Sequence, residues 1–186
     1  MTLRRLYIPL HSDSFVLGNF QLVPIRFEDR YQIMKWRNEQ IFHLRQERSL
    51  TEQDQDHYFN EVVEKLFDQE EPHQLLFSFL ESGACIGYGG LVHINWKDQN
   101  AEVSFIMDTD LEAERFGELW GAYLSLIKQV AFEDLALRKI FTFAYDLRPH
   151  LYPVLINAGF EEDARLRDHV QFDGKYSDVL IHSCLR

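Results

Sequence analysis

The stretch that decides the fold is residues 101–145, AEVSFIMDTD LEAERFGELW GAYLSLIKQV AFEDLALRKI FTFAY. Apolar runs at Ala101–Met107 and Lys139–Tyr145 predict two strands, and apolar residues at helical spacing predict a helix over Leu119–Phe132 between them. Asp108–Glu114 is polar and acidic, which predicts a loop before the helix. A strand, a helix and a second strand in this order predict one parallel strand pairing.

The chain before this unit begins with a predicted hairpin. Two short apolar runs, Phe15–Leu17 and Phe20–Ile25, are separated by a Gly-Asn turn. From Glu28 the apolar residues recur at helical spacing. Thr51, with Asp54 three residues later, is typical of the start of a second helix.

Further strands flank the central unit on both sides. Strands are predicted at Leu75–Leu80, Cys85–Ile94, Val170–Phe172 and Tyr176–Ser183, and a short helix at Pro149–Ala158. Gly159 ends that helix, and Asp173-Gly174 is the predicted turn of the final hairpin. The pattern contains no internal repeat and no linker, so it predicts a single domain of the α/β or α+β class.

The composition is that of an ordinary globular domain. The chain has 186 residues, 46% of them hydrophobic and 26% charged, which excludes disordered, collagen-like and small disulfide-rich proteins. The formal net charge is −11 and no basic cluster is longer than Arg4-Arg5, so nucleic-acid binding is not expected. The acidic balance favours amines, polyamines or basic proteins as partners, or it serves solubility alone.

Metal and membrane sites are not expected either. Cys85 and Cys184 form no CxxC motif, and the eight histidines lack the spacing of zinc ligands. No apolar run approaches the roughly 20 residues of a membrane-spanning helix. A cytoplasmic protein with reduced thiols, no metal and no membrane contact is therefore predicted.

A series of short motifs in fixed order resembles the GNAT superfamily of acyl-CoA-dependent N-acetyltransferases. These motifs are Leu22-Val23-Pro24-Ile25 with Glu28-Asp29, Trp36-Arg37-Asn38, Ala101-Glu102-Val103-Ser104-Phe105, Ala131-Phe132 with Leu135 and Leu137, Lys139-Ile140, Asn157-Ala158-Gly159-Phe160, Arg167-Asp168-His169-Val170 and Asp173-Gly174-Lys175-Tyr176-Ser177-Asp178-Val179. The resemblance covers roughly residues 15–186, and is strongest to the branch that acetylates ribosomal proteins and amino sugars.

The resemblance implies a GNAT-like mixed, mostly antiparallel sheet with helices on both faces. The sheet would splay open in the middle, between the strands Ala101–Met107 and Lys139–Tyr145. Residues 1–186 would form one acyltransferase domain, with residues 1–14 as an N-terminal extension. The resemblance leaves a homodimer open.

Acetyl-CoA is the co-substrate that the resemblance implies. Its pantetheine arm would lie in the opening against backbone groups of residues 105–108, and its pyrophosphate on the N-terminus of the following helix. The residues expected at the cofactor are Phe105, Ile106, Met107, Asp108, Arg115, Phe116, Gly117, Glu118, Leu119 and Arg148. Arg148 stands where the family usually has Asn, so it is expected to contact the cofactor, a substrate anion or only solvent.

The phosphate-binding signature departs from the family pattern. The family has two small residues where this chain has Glu118 and Trp120, counting from Arg115. A carboxylate beside a pyrophosphate is repulsive, and an indole is bulky where the backbone should approach closely. The residues are consistent with a remodelled phosphate loop that relies on Arg115, or with acidic side chains that only satisfy the helix dipole.

Three side chains are candidates for acid–base catalysis. Glu102 opens the strand that lines the predicted opening, so it can accept the amine proton directly or through a water. His93 ends the neighbouring strand and titrates near neutrality. The family's usual acid, a Tyr, is replaced by Leu155, and Tyr152 is the candidate substitute. Structural roles remain the alternative for all three: a strand-end position for Glu102 and His93, and packing for Tyr152.

The acceptor is expected at the end of the first helix. Trp36, Arg37 and Asn38 offer an aromatic plane, a cation and an amide for a sugar or nucleotide, and Tyr176 is expected to add to this pocket. The alternative is that Trp36 belongs to the core and Arg37 pairs with an acid. The predicted activity is acetyl transfer from acetyl-CoA to a primary amine of a small molecule, possibly a nucleotide-linked amino sugar. The alternatives are acetylation of a protein N-terminus or side chain, and a non-catalytic module that has lost CoA binding.

Overall fold

The computed structural model describes residues 6–172 and 174–186, and its centre is an eight-stranded sheet. The strands are β1 (Phe15–Leu17), β2 (Phe20–Pro24), β3 (Leu75–Glu81), β4 (Ala84–Asn95), β5 (Asn100–Met107), β6 (Lys139–Tyr145), β7 (Glu161–Phe172) and β8 (Lys175–Leu185). Their order across the sheet is β1-β2-β3-β4-β5-β6-β8-β7. Every neighbouring pair is antiparallel except β5 and β6, which confirms the predicted parallel pairing.

In the described part of the chain, five α-helices connect the strands. They are α1 (Arg30–Glu39), α2 (Glu52–Tyr58), α3 (Glu64–Leu66), α4 (Thr109–Lys128) and α5 (Leu151–Asn157). Short 3₁₀ helices occur at Phe27–Asp29 and Ile41–His43, and wide helical turns follow α2 and α4 at Phe59–Val63 and Gln129–Asp134. The predicted N-cap is confirmed, since Thr51 and Asp54 form a reciprocal capping box at the start of α2. Within the described residues, no helix is long and apolar enough to cross a membrane.

The parallel pair β5–β6 splays apart after three residues. Residues 100–102 of β5 pair with residues 139–141 of β6, and no pairing between the two strands follows. Beyond Glu102 the facing edges of the two strands therefore do not pair with each other, and the carbonyls of Ser104 and Met107 accept side-chain hydrogen bonds from Tyr123 and Gln40. The predicted opening in the middle of the sheet is confirmed.

Helices cover both faces of the sheet. Phe105 of β5 stacks on Tyr123 of α4, with ring centroids 3.8 Å apart. Neighbouring strand residues point to opposite faces, so Ile106 and its cross-strand partner Tyr88 face away from α4. The Tyr88 hydroxyl accepts a hydrogen bond from Arg37 of α1. The predicted arrangement, with helices on both faces, is confirmed.

The predicted loop over Asp108–Glu114 is wrong, because this segment forms the first turns of α4. The Asp108 carboxylate accepts hydrogen bonds from the N–H groups of Asp110 and Leu111 and so caps the helix. Acidic residues in a first turn also interact favourably with the helix dipole. A kink at Arg115, with φ −128° and ψ 23°, separates this acidic segment from the rest of α4.

The C-terminal hairpin is longer than predicted. Strand β7 begins at Glu161 and β8 extends to Leu185, whereas the sequence pattern indicated only a few residues on each side of the turn. Most side chains of β7 are exposed, so the strand lacks the apolar alternation that would reveal it. Asp173 of the predicted turn lies outside the described residues.

The segment before β1 packs onto the core. Tyr7 is buried, stacks on Phe67 at 4.0 Å and donates a hydrogen bond to the carbonyl of Leu76. Leu10 is also buried. Residues 1–5 of the predicted N-terminal extension lie outside the described residues, and the proposed domain limits stay a prediction.

Candidate active site

A cavity of about 450 Å³ lies at the opening between β5 and β6. Its wall includes Glu102, His93, Arg37, Arg148 and Phe105, all of which the sequence analysis singled out. The other lining residues are His43, Leu44, Arg45, Gln74, Val92, Val103, Ser104, Trp120, Thr142, Phe143, Ala144, Tyr145 and Leu151. A second cavity of about 220 Å³ lies between α1, α2 and the sheet, and Arg37 lines both.

Glu102 is the buried carboxylate at the centre of this wall. Its side chain is only 9% exposed. One carboxylate oxygen, Oε1, accepts a hydrogen bond from the Arg45 guanidinium, and the other, Oε2, lies 2.9 Å from Nδ1 of His93. Since both oxygens already have a partner, Glu102 is better placed to orient a base than to act as one.

A β-bulge brings His93 to Glu102. The β4–β5 register shifts between Val92 and Asn95, and His93 has a positive φ of 50°. In a regular strand His93 would point to the face opposite Val92, but the bulge turns its ring toward the carboxylate. His93 contacts Glu102 through Nδ1, so its second ring nitrogen, Nε2, is not used in this contact. The His93 side chain is 62% exposed.

The α4 side of the opening is walled by aromatic rings. Trp120 packs edge-on against Phe105 with ring centroids 4.9 Å apart, and it occupies the position where the family signature has a small residue. Thr142 also lines the cavity, and its hydroxyl is buried and has no hydrogen-bond partner among the described residues. An orphaned hydroxyl beside two unpaired strand edges fits an extended amide-containing chain such as pantetheine.

The residues at the expected pyrophosphate position are less well suited to bind a pyrophosphate. Arg115 is held by Glu81 at 2.9 Å and by Glu118 at 2.6 Å. These ion pairs keep the pKa of both carboxyl groups below the usual value, so both acids are charged near neutrality. A pyrophosphate at this position would compete with two carboxylates for one guanidinium.

Arg148 reaches the cavity from the segment before α5. It pairs with Glu112 of α4 at 2.9 Å, and both side chains are largely buried. Burial and the Arg148 charge lower the pKa of the nearby His43 to about 3, so His43 is neutral in the folded protein. His43 contacts Gln40 at 3.3 Å, and the Gln40 amide donates to the carbonyl of Met107 at the end of β5.

The three consecutive residues proposed for the acceptor do not converge. Trp36 is fully buried and donates to the Asp108 carboxylate at 3.1 Å. Asn38 bonds the backbone of Leu50 in both directions and so fixes the segment after α1. Arg37 lines both of the cavities described above, whereas Trp36 and Asn38 line neither of these two.

The two predicted tyrosines also lie away from the cavity wall. Tyr152 stacks on His182 and donates to Asp146 at 2.6 Å. Burial and the hydrogen bond to the Asp146 carboxylate raise the pKa of Tyr152, which makes its hydroxyl a poorer proton donor than an ordinary tyrosine. Tyr176 lies on β8 and is 65% exposed.

The remaining predicted cofactor residues have mainly structural contacts. Ile106, Met107 and Leu119 are buried in the core, and Asp108 caps α4. The ring of Phe116 packs against His150 with centroids 4.3 Å apart, and Gly117 lies in α4 just after the kink. Only Phe105 and Arg148 of the predicted cofactor set line the cavity.

Sequence reasoning missed Arg45, His43 and Thr142. Arg45 and His43 lie in the irregular segment between α1 and α2, where no periodicity indicates a direction. Thr142 lies within the predominantly apolar predicted strand Lys139–Tyr145. Its hydroxyl is a sequence signal that could have identified it as a candidate site residue. Among the described residues, no group of three or more His, Cys, Asp or Glu is arranged to hold a metal ion.

Comparison with known proteins assigns the family. The sequence model of the acetyltransferase (GNAT) domain matches residues 22–181, and no curated protein sequence matches the chain. A crystal structure of spermidine N-acetyltransferase from Vibrio cholerae, in complex with CoA and spermine, superposes with a TM-score of 0.76 at 19% identity. The match covers 91% of this chain and 96% of the other.

A second structure from Vibrio cholerae gives the same result. The spermidine/spermine N-acetyltransferase SpeG in complex with manganese ions has a TM-score of 0.73 at 18% identity, over 90% of this chain and 93% of the other. Likeness at this level of identity shows the shared fold. The chain belongs to the acetyltransferase (GNAT) domain family. It is an acyl-CoA-dependent N-acetyltransferase, with acetyl-CoA as the co-substrate.

Proposed function

We propose that the protein transfers the acetyl group of acetyl-CoA to a primary amine of a small molecule, with His93 and Glu102 acting as a base dyad. The observation that carries the proposal is the 2.9 Å contact between the two side chains at the wall of the β5–β6 opening. A carboxylate that orients an imidazole is a recurring arrangement for proton abstraction. Arg45 fixes the carboxylate from its other side.

The residues of the chain divide the chemistry as follows. Glu102 holds the His93 ring through Nδ1, and Nε2 takes the proton from the acceptor ammonium, so that the neutral amine can attack the thioester carbonyl. Acetyl-CoA supplies an activated acetyl group, whose C–S bond breaks as the N–C bond forms. The second proton of the attacking nitrogen then passes to the leaving thiolate, directly or through a water, so that the products are the amide and free CoA. Thr142 and the free edge of β5 hold the donor in the opening.

An activated amino sugar is the first candidate acceptor. It rests on the resemblance to the branch that acetylates ribosomal proteins and amino sugars. The similar Vibrio cholerae enzymes also act on small amines, since they are named as spermidine and spermine N-acetyltransferases. A protein N-terminus or basic side chain is the second candidate class, which the net charge of −11 favours.

A thermal melt with and without acetyl-CoA tests the donor. At one hundred times the dissociation constant, binding is expected to raise Tm by about 5–10 °C for a domain of this size. Free CoA is expected to act similarly, and ATP, which lacks pantetheine, is the control. No shift at millimolar acetyl-CoA would contradict the proposed transfer and favour a non-catalytic role, with Glu118 and Trp120 as the cause.

The Glu118→Gln variant is expected to bind acetyl-CoA about threefold more tightly. The substitution removes one of the two carboxylates that compete for Arg115, and an exposed charge interaction has an effect of this size. Isothermal titration at low and high salt measures it, because screening should shrink the gain. Glu133→Gln, an exposed acid beyond the C-terminal end of α4, is the matched control. Equal or weaker binding by Glu118→Gln would place the pyrophosphate elsewhere.

A further inference from the structure

Arg37 lines the cavity, and its guanidinium has no ionic partner among the described residues. Its Nε donates to the amide oxygen of Gln46 at 2.9 Å, and one terminal nitrogen donates to the Tyr88 hydroxyl at 2.5 Å. Both partners are neutral. Within residues 6–172 and 174–186, no carboxylate lies at ion-pair distance from Arg37.

The other two arginines of the cavity differ in this respect. Arg45 is paired with Glu102, and Arg148 is paired with Glu112. A charge that is withdrawn from water is stabilised when a counter-charge is close, and unpaired buried charges are costly. The counter-charge of Arg37 is therefore expected to arrive with a ligand.

The charge of the cavity wall supports this conclusion. Three arginines and one carboxylate, Glu102, line the main cavity, although the chain as a whole has a net charge of −11. An excess of fixed cations in a cleft attracts anions and repels polycations. A polyamine would bring additional positive charge close to Arg37 and Arg148.

The second cavity indicates what lies beyond the anion. Its walls are mainly apolar or aromatic, from Ile25, Ile33, Leu50, Tyr58, Phe59 and Tyr88. The one acid among its lining residues, Asp54, is held by Arg48 at 2.8 Å. Because Arg37 lines both cavities, a ligand bound to it can extend toward His93 on one side and into this apolar space on the other.

We infer that the acceptor is a primary amine that also carries a carboxylate or phosphate, and that Arg37 binds this anionic group. The inference rests on the proposed acetyl transfer and names its substrate class. Guanidinium groups pair with both kinds of oxyanion through two parallel hydrogen bonds. The amine would face His93, and the anion would replace or join the neutral partners of Arg37.

Pairs of amines that differ in one anionic group test this inference. We expect kcat/KM to be at least about 10-fold higher for phenylalanine than for phenethylamine, or for glucosamine 6-phosphate than for glucosamine. The first pair tests the carboxylate and the second the phosphate. Preference for spermidine, or equal rates within both pairs, would overturn the inference while leaving acetyl transfer established.

Variants at position 37 make the test specific. Arg37→Gln is expected to lower kcat/KM about 10- to 100-fold for the amine that carries the anionic group, and to change kcat/KM by no more than about threefold for the amine that lacks it. Arg37→Lys keeps the charge and is expected to restore part of the preference. Lys35→Gln removes a charge from the exposed side of the same helix and serves as the control. An equal loss for both amines would mean that Arg37 has only a structural role.

A binding measurement separates this inference from the proposed activity. Without acetyl-CoA, the anionic amines are expected to raise Tm in the wild type and in Lys35→Gln but not in Arg37→Gln. Such a pattern without any turnover would keep the anion site and reject the acetyl transfer. No Tm shift and no turnover with either anionic amine would overturn the inference itself.

Discussion

Replacing His93 by alanine is expected to lower kcat by about 10²- to 10⁴-fold, with the affinity for acetyl-CoA nearly unchanged. The His93 imidazole lies at the cavity wall, and its Nδ1 is held by the Glu102 carboxylate. Nε2 is therefore the ring nitrogen that can accept a proton from the substrate. Steady-state kinetics with the best amine, together with isothermal titration of acetyl-CoA, measures both quantities. A raised KM for acetyl-CoA with normal kcat would assign His93 to binding instead.

Glu102→Gln tests whether the two residues act as a unit. The single variant is expected to lose at least about 10²-fold in kcat, and the double variant His93→Ala/Glu102→Gln is expected to lose little more than the worse single one. If Glu102 were the base through a water, Glu102→Gln would be severely impaired while His93→Ala kept most of its activity. His57→Ala, an exposed histidine on α2, is the matched control.

The dyad illustrates how far the sequence leads toward the site. Glu102 and His93 were each predicted as candidates from their positions at the ends of neighbouring strands. Their contact depends on the bulge after Val92 and on the positive φ of His93, and no residue type in that stretch signals either. Only the folded chain therefore shows the contact between the two side chains on which their proposed roles depend.

The motif Trp36-Arg37-Asn38 shows a second limit of predicting the site from the sequence. Successive residues on a helix are rotated by about 100° relative to one another, so three neighbours cannot all face one pocket. Trp36 turns into the core and Asn38 toward the backbone of Leu50, and Arg37 is left at the cavities. Helical periodicity alone could have predicted that the motif divides in this way.

The strand–helix–strand unit was the most predictable part of the fold. Strand β6 was predicted with the bounds that it has in the structure, and β5 begins one residue before its predicted start. The acidic start of α4 was misread because polar composition suggests a loop, whereas Asp108 makes it a capped helix. The N-cap residue Asp108 thus predicts the secondary structure of this segment better than its charge composition does.

Lowering the pH is expected to destabilise the protein through His43. Burial and the Arg148 charge lower the pKa of His43 to about 3 in the folded state, whereas an unfolded chain has a histidine pKa of about 6.5. Between these values the unfolded state binds one proton more than the folded state, so stability is present above pH 6.5 and is lost as pH falls toward 3. From pH 6.5 to 4, this one group is expected to remove about 2–3 kcal/mol of unfolding free energy.

Urea unfolding of the wild type and of His43→Gln at several pH values measures this contribution. Carboxylates paired in the native state add their own acid sensitivity, but they are the same in both proteins and cancel in the difference. His43→Gln is therefore expected to lose about 2–3 kcal/mol less stability than the wild type on going from pH 6.5 to pH 4. His57→Gln, which changes an exposed histidine, should follow the wild type. Parallel curves for His43→Gln and the wild type would mean that His43 takes up its proton in the folded protein as readily as in the unfolded chain, and that the wall of the cavity opens to water around it.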